Sequence, residues 1–275
     1  IGYKGLEMLS RFAVPAMIIL VAVSMTIATS DAGGFSGLLA ITPSDEMTVA
    51  AAITMVFGTF VSGGTQATNW TRFAKSGKTA VIATLLAFFL GNGLMTLIGA
   101  FGALVYQQAD IVDIMVAQGL ATLGILMLFL NLWTTQDNTV YNFAVAGCNM
   151  IRTRRRKLVT VGGAAIGTVL AVLGMYEWLI PFLVLLGTFI PPIGGVIMAS
   201  YFIGYKREYP SLETATLPAF NVPGLAAYAI GSAAAYTSPW IAPIVGVLVA
   251  AASYGVVLVV SEAVRDRRAQ VLGAV

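Results

Sequence analysis

Long apolar runs alternate with short polar segments along this sequence. Eight of these runs are long enough to cross a lipid bilayer as helices, which takes roughly 17–25 residues. They lie near residues 12–30, 47–70, 79–106, 119–148, 159–175, 178–204, 221–237 and 239–261. The pattern therefore predicts an all-α polytopic membrane protein, with the lipid bilayer as its surroundings.

The fourth run contains an unusual set of polar residues, in the stretch NLWTTQDNTVYN at 131–142. Five of these side chains fall within an arc of roughly 100° when the run is placed on an α-helix. They are Asn131, Thr134, Thr135, Asn138 and Asn142. Such a polar stripe can hydrogen-bond to neighbouring helices, line a water path, or bind a hard cation and a polar solute.

Hydrogen bonding between helices is the weaker explanation of the polar stripe. Such bonds contribute only about 0.6 kcal/mol each on average within a membrane. Amide and hydroxyl oxygens also suit Na⁺, because hard cations prefer oxygen ligands.

Asp137 is the only charged residue inside the predicted spans. It lies roughly 110° from the middle of the polar stripe, so it need not belong to the same site. An ionisable residue within a membrane is by default a functional candidate. A structural role is equally open, in which the carboxylate accepts hydrogen bonds from nearby backbone or hydroxyl groups.

Two stretches interrupt otherwise regular helices. The segment GTFVSGG at 58–64 contains three glycines inside the second run, and a glycine-rich interruption at mid-membrane indicates a discontinuous transporter helix. Close helix packing through small residues is the other interpretation.

The segment FIPPIGGV at 189–196 contains Pro191 and Pro192, which remove backbone donors and predict a kink. That kink would be a hinge or simply a shape that the packing requires.

Composition and charge agree with a membrane protein. The 275 residues are 58% hydrophobic and only 10% charged, against about 25% charged in a soluble domain, and the mean hydropathy is +0.88. All 15 Lys and Arg residues fall on one side of the predicted spans. The positive-inside rule places that side, and both ends of this chain, in the cytoplasm. The basic run RTRRRK at 152–157 is interpreted as a topology anchor, with binding of nucleic acid or anionic lipid as the weaker alternatives.

The available side-chain chemistry favours a carrier over an enzyme. The sequence contains no His, so His-based metal sites, haem ligation and proton relays are excluded. Cys148 is the single cysteine and is interpreted as a packing residue. One buried Asp makes no catalytic dyad. A channel is harder to exclude, but a broken helix together with a kinked one favours a transporter.

The motifs just described, taken in order, resemble those of nucleobase:cation symporter family 1, and within it the cytosine permeases. The resemblance covers residues 1 to about 265 and rests on VFGTFVSGGT…NWTRFAKS, AFFLGNGLM, VAQGL, LNLWTTQDNTVYN and IPPIGGVIMASYF. It implies a leucine-transporter-type inverted-repeat fold of twelve helices, of which this chain would supply helices five to twelve. The chain begins without Met, and we expect helices one to four to be absent from it. Residues 1–275 would then form a single integral membrane domain, the C-terminal part of the transporter.

The resemblance also implies roles for residues on family helices six and eight. Phe60 would stack on a pyrimidine ring, and main-chain groups freed around Gly58, Thr59 and Ser62 would hydrogen-bond to its edge. Asn131, Thr134 and Thr135 match positions that help to form a sodium site. Asn131 is also counted among the substrate contacts, with Gln136, Asp137 and Asn138, which match the polar run at the substrate cavity. Family members often carry Asn where this chain has Gln136, so we expect different contacts to the base edge.

The implied function is import of cytosine or a related nucleobase with Na⁺, by alternating access, across the cell (inner) membrane. Uracil, hydantoin, allantoin and thiamine are alternative solutes, and H⁺ coupling through Asp137 is the alternative to Na⁺. A channel or a non-transporting scaffold is the alternative of another class. We expect no organic cofactor, no nucleic-acid partner, no requirement for an oligomer and no enzymatic activity.

Overall fold

Helices account for the regular secondary structure of the described residues, as the sequence predicts. The computed structural model describes residues 2–42, 47–108, 110–211 and 220–272, with side chains described for 11–42, 47–108, 110–136, 139–211 and 220–264. The α-helices, numbered along the chain, are α1 Gly2–Asp31, α2 Gly34–Ala40, α3 Val49–Thr65, α4 Ala67–Thr71, α5 Gly77–Leu86, α6 Gly93–Tyr106, α7 Ile111–Ala117, α8 Ala121–Ile151, α9 Arg156–Val172, α10 Leu179–Phe189, α11 Pro191–Ala199, α12 Val222–Thr237 and α13 Ala242–Leu272. Two π-helical segments, Ala87–Asn92 and Ser200–Gly204, and one 3₁₀ segment, Met175–Trp178, continue or connect them.

All eight runs predicted to span a membrane are largely helical. Within the described residues, four segments are long and apolar enough to cross a bilayer, namely Arg11–Asp31, Gly77–Tyr106, Met175–Gly204 and Ala242–Val264. Val49–Thr65 is a shorter apolar helix. The prediction of an all-α membrane protein is therefore confirmed.

Several helices begin where a polar side chain caps the first turn. The Thr48 hydroxyl accepts a hydrogen bond from the Ala51 amide at 3.2 Å, and the Asp110 carboxylate accepts one from the Val112 amide at 2.7 Å. Asn221 accepts a hydrogen bond from the backbone of α12 in the same way. These caps satisfy backbone donors that have no partner within the helix, so they fix where the helices start.

The chain divides into two compact units. The first unit comprises residues 1–46 and 74–175, and the second comprises residues 47–73 and 176–275. In the first unit, α1 packs on α6 and α8, and α8 packs on α7 and α9. In the second unit, α3 packs on α10, while α13 packs on α11 and α12.

The predicted break at 58–64 is wrong, because α3 continues without interruption through that stretch to Thr65. The interruption comes instead at Gln66, whose amide donates to the Ser62 carbonyl at 3.1 Å before α4 begins. A glycine inside a helix costs about 1 kcal/mol relative to alanine but leaves the backbone hydrogen bonds intact. Gly58 packs so closely on α10 that a methyl group there would overlap the Leu183 carbonyl oxygen. Gly58 therefore serves close packing, which was the other interpretation.

The predicted kink at 189–196 is present. α10 ends at Phe189, Ile190 intervenes, and α11 starts at Pro191. Pro192 is fully buried, and a methyl group on Gly246 of α13 would lie 2.7 Å from its Cγ. The change of direction thus lets the proline ring pack directly against a glycine of α13, which favours the packing explanation of the kink.

Candidate functional site

The predicted cation residues lie together on α8 in the first unit. α8 is continuous from Ala121 to Ile151, so Asn131, Thr134 and Thr135 share one face of it, as their spacing predicts. Asn131 and Thr135 are exposed, and Thr134 is half-buried. Oxygen atoms at these positions are therefore held by a rigid helix, which is the arrangement that a preorganised site requires.

The Thr134 hydroxyl is hydrogen-bonded within its own helix. It donates to the carbonyl oxygen of Leu130 at 3.0 Å and to that of Asn131 at 3.1 Å. A hydroxyl has one hydrogen and two lone pairs, so the Thr134 oxygen keeps its capacity to accept. The two carbonyl oxygens lie inside the continuous α8, where the helix already uses them. The side-chain oxygens of Asn131, Thr134 and Thr135 are neutral, which fits a hard cation such as Na⁺.

The rest of the polar stripe is described only in part. Gln136 is exposed, and Asn142 is buried, with 8% of its surface accessible. The backbone at 137 and 138 is helical, but the side chains of Asp137 and Asn138 lie outside the described residues. The roles assigned to these two side chains stay predictions.

The predicted substrate residues of α3 lie in the second unit. Phe60 is exposed over 41% of its surface, and its ring lies over Gly63, where a methyl group would come within 2.7 Å of the Phe60 Cε1. The absence of a side chain at 63 thus allows this ring position. The Thr59 hydroxyl donates to the Val56 carbonyl at 2.6 Å, so its lone pairs can still accept.

The helical backbone corrects one predicted set of substrate contacts. Main-chain groups at Gly58, Thr59 and Ser62 lie inside α3 and are not freed. The Ser62 carbonyl accepts from the Thr65 hydroxyl at 2.9 Å and from the Gln66 amide at 3.1 Å. The prediction that the backbone of these three residues hydrogen-bonds to the substrate is therefore wrong for this conformation, because the helix already uses those backbone groups.

The structure gathers the predicted residues into two sets, one on each unit. Gly58, Thr59, Phe60 and Ser62 share α3 of the second unit, and residues 131–138 share α8 of the first.

Sequence reasoning missed a polar cluster in the first unit. The Gln118 amide donates to the Ser24 carbonyl at 2.9 Å and to the Tyr106 hydroxyl at 3.3 Å, and the Tyr106 hydroxyl donates to the Asp31 carboxylate. The cluster ties the end of α7 to α1 and α6. Gln118 belongs to the VAQGL motif, which identified the residue but not its partners, because they lie on other helices, 94 residues away for Ser24 and 12 for Tyr106.

A cleft of about 440 Å³ lies in the first unit, at the end of α1. Its lining consists of Met25, Thr26, Thr29, Ser30 and Gly34. Both threonine hydroxyls donate to carbonyls of their own helix at 2.8 Å. This lining includes none of the predicted site residues, so we assign the cleft no role.

Comparison with known proteins gives one consistent family. The family model "Permease for cytosine/purines, uracil, thiamine, allantoin" matches residues 1–257. Cytosine permeases of Escherichia coli, from strain K12 and from O157:H7, are each 38% identical over 253 residues. The match covers 92% of this chain but 60% of the length of each relative. On this evidence, the chain belongs to the family of permeases for cytosine/purines, uracil, thiamine and allantoin.

Proposed function

We propose that the protein imports cytosine or a related nucleobase together with Na⁺, by alternating access, and is not an enzyme. The observation that carries this proposal is the 38% identity to cytosine permeases over 92% of the chain. Because the chain spans 60% of those relatives, the activity is proposed for the full natural protein. We place it in the cell membrane as a multi-pass protein of the leucine-transporter type, with both ends of this chain in the cytoplasm.

On α3, the proposed substrate contact is Phe60. An exposed ring offers a flat apolar face to a planar base, and stacking of a base on an aromatic side chain is worth about 1–3 kcal/mol. Among the residues proposed for the site on α3, Thr59 and Ser62 contribute their hydroxyls to the base edge, because the backbone is used by α3 itself. Gly58 contributes by packing rather than by a hydrogen bond.

On α8, the proposed cation ligands are the oxygens of Asn131, Thr134 and Thr135. Their common face on one continuous helix supports this. The side-chain amide of Asn131 has both an oxygen and an NH₂ group, so Asn131 is proposed to serve the cation and the solute. Gln136, Asp137 and Asn138 are proposed to supply further polar contacts to the base.

The test of substrate and class is uptake of radiolabelled cytosine by proteoliposomes containing the full natural protein. We expect saturable uptake that exchanges with cytosine inside the vesicles and is inhibited by unlabelled cytosine. If unlabelled cytosine does not compete but uracil, hydantoin, allantoin or thiamine inhibits uptake, the inhibiting compound would take the place of cytosine as the proposed solute. Absence of saturable exchange with every solute would favour a channel or scaffold and contradict the proposal.

The test of the cation site is Thr134→Ala combined with Thr135→Ala. We expect cytosine uptake to require at least about tenfold more Na⁺, equivalent to ~1.4 kcal/mol, because two oxygen ligands are removed. The control is Thr84→Ala with Thr168→Ala, since those hydroxyls make the hydrogen bond to a carbonyl four residues earlier that Thr134 makes. If the Na⁺ dependence of uptake is unchanged in the Thr134→Ala, Thr135→Ala variant, the proposed cation site on α8 is excluded. Uptake that is insensitive to Na⁺ but lost in Asp137→Asn would establish H⁺ coupling instead.

A further inference from the structure

The turn between α8 and α9 concentrates positive charge in the first unit. Five of the six residues at 152–157 are basic, and all five are exposed. They are Arg152, Arg154, Arg155, Arg156 and Lys157. Five cations on one short turn repel one another, so the structure must hold them together by other means.

Backbone geometry fixes this basic turn. Arg152 adopts a left-handed conformation, with φ of 54°, and ends α8. The Thr153 amide then donates to the Cys148 carbonyl at 3.0 Å, and the Thr153 hydroxyl accepts from the Arg155 amide at 3.3 Å. The arginines that follow are thus presented by a defined turn rather than by a loose loop.

The charges of the turn have no acidic counterpart in the part of the chain that the structure describes. The ion pair found there joins Lys206 to Glu262, at 2.9 Å, and lies in the second unit. α9 begins at Arg156 without a side-chain cap and without an acidic residue in its first turn. A helix start favours a nearby anion, whereas Arg156 and Lys157 add positive charge there. The electrostatics of the turn therefore favour an anion from outside the chain.

Apolar side chains flank the basic residues on both helices. Met150 and Ile151 at the end of α8 are 86% and 69% exposed, and Leu158 in α9 is 63% exposed. Lys and Arg side chains keep their charged ends in water while their stems lie along apolar surface. A molecule that fits this surface has an anionic head and an apolar body, which describes a phospholipid better than a nucleic acid.

We propose that the segment 150–158 binds an anionic phospholipid, with the phosphate on the basic turn and the acyl chains against Met150, Ile151 and Leu158. Near an anionic membrane surface each Lys or Arg contributes about 1 kcal/mol of attraction. Several residues acting on one headgroup give selectivity for anionic over zwitterionic lipid. The proposal requires a membrane protein but does not depend on which solute or ion is transported.

The experiment is native mass spectrometry of the full natural protein in neutral detergent. The protein is titrated with phosphatidylglycerol or with phosphatidylcholine of the same acyl chains. We expect several-fold tighter binding of phosphatidylglycerol. The variant Arg154→Gln, Arg155→Gln, Arg156→Gln should weaken that binding by at least about tenfold, and Arg154→Lys, Arg155→Lys, Arg156→Lys should retain most of it. In detergent, the binding does not depend on which side of a membrane the turn faces.

The matched control removes three other cations, as Arg72→Gln, Lys75→Gln, Lys78→Gln, and should leave the preference unchanged. If the glutamine variant of the turn does not fold, the wild-type preference for phosphatidylglycerol is compared at about 0.05 M and about 0.5 M salt. Loss of the preference at high salt supports binding by charge. Equal binding of the two lipids by the wild type, or an equal loss in both triple variants, overturns the proposal. Displacement of the lipid by inorganic phosphate or by a short RNA at matched concentration also overturns it.

Discussion

The closest glycine contacts between helices differ in kind between the two units. In the second unit these contacts meet the backbone of the neighbouring helix, although Gly246 and Gly255 meet side chains. A methyl group on Gly58 would overlap the carbonyl oxygen of Leu183, and one on Gly187 would overlap that of Thr54. These two contacts join α3 and α10 reciprocally, because each helix supplies one glycine and one carbonyl four residues away.

In the first unit, glycines at helix contacts face side chains instead. A methyl group on Gly102 of α6 would lie 2.6 Å from the Cδ1 of Ile114, and one on Gly147 of α8 would lie 2.7 Å from a Cγ of Val159. A side chain can rotate away, whereas a backbone carbonyl moves only with its helix. Backbone contact therefore fixes α3 to α10, while the helices around α8 are packed through adjustable side chains.

The largest effect is expected for Gly58→Ala. The added methyl group must push α3 away from α10, and overpacking of this kind costs about 1–3 kcal/mol or more. We expect a clear fall in the apparent unfolding midpoint of the purified protein, measured by circular dichroism in detergent. An unfolding midpoint equal to that of the wild type would show that the backbone contact between α3 and α10 does not limit the space at residue 58.

A smaller effect, with a neighbour as its control, is expected in α11. A methyl group on Gly195 would overlap the Val247 carbonyl oxygen of α13, whereas Gly194 has nothing within 4 Å. We expect Gly195→Ala to destabilise by about 2 kcal/mol. Gly194→Ala should be neutral or gain up to about 1 kcal/mol from higher helix propensity. Equal midpoints for these two variants would show that backbone contact does not govern the second unit.

The smallest effect is expected for Gly102→Ala in the first unit. Only the end of the Ile114 side chain must move, and the gain in helix propensity offsets part of the cost. We expect a loss below about 1 kcal/mol, measured in the same unfolding assay. A fall as large as that of Gly58→Ala would remove the distinction between the two units.

The sequence alone was sufficient to predict most of the helices and the common face of three polar residues on α8. Apolar runs of membrane length and a 100° stripe are local properties, so Asn131, Thr134 and Thr135 could be placed on one face without any tertiary information. The kink at Pro191 was predictable for the same reason, since proline acts on its own helix.

The role of the glycines in α3 could not be read from the sequence. A helix break and a close helix contact both require small residues, and the choice depends on a partner. For Gly58 that partner is Leu183, which is distant in sequence and carries no signal in its own side chain because the contact is made by its carbonyl. The same limit hid the Gln118 cluster, whose partners lie on α1 and α6.

The proposed coupled binding of a nucleobase and Na⁺ is tested most directly by equilibrium binding of radiolabelled cytosine to the full natural protein. The affinity is measured in Na⁺ and again with choline replacing Na⁺. If both ligands favour the same state, each must tighten the other by the same factor. We expect tighter cytosine binding in Na⁺, with an equal gain in Na⁺ affinity when cytosine is present. An identical cytosine affinity in the two media would contradict it.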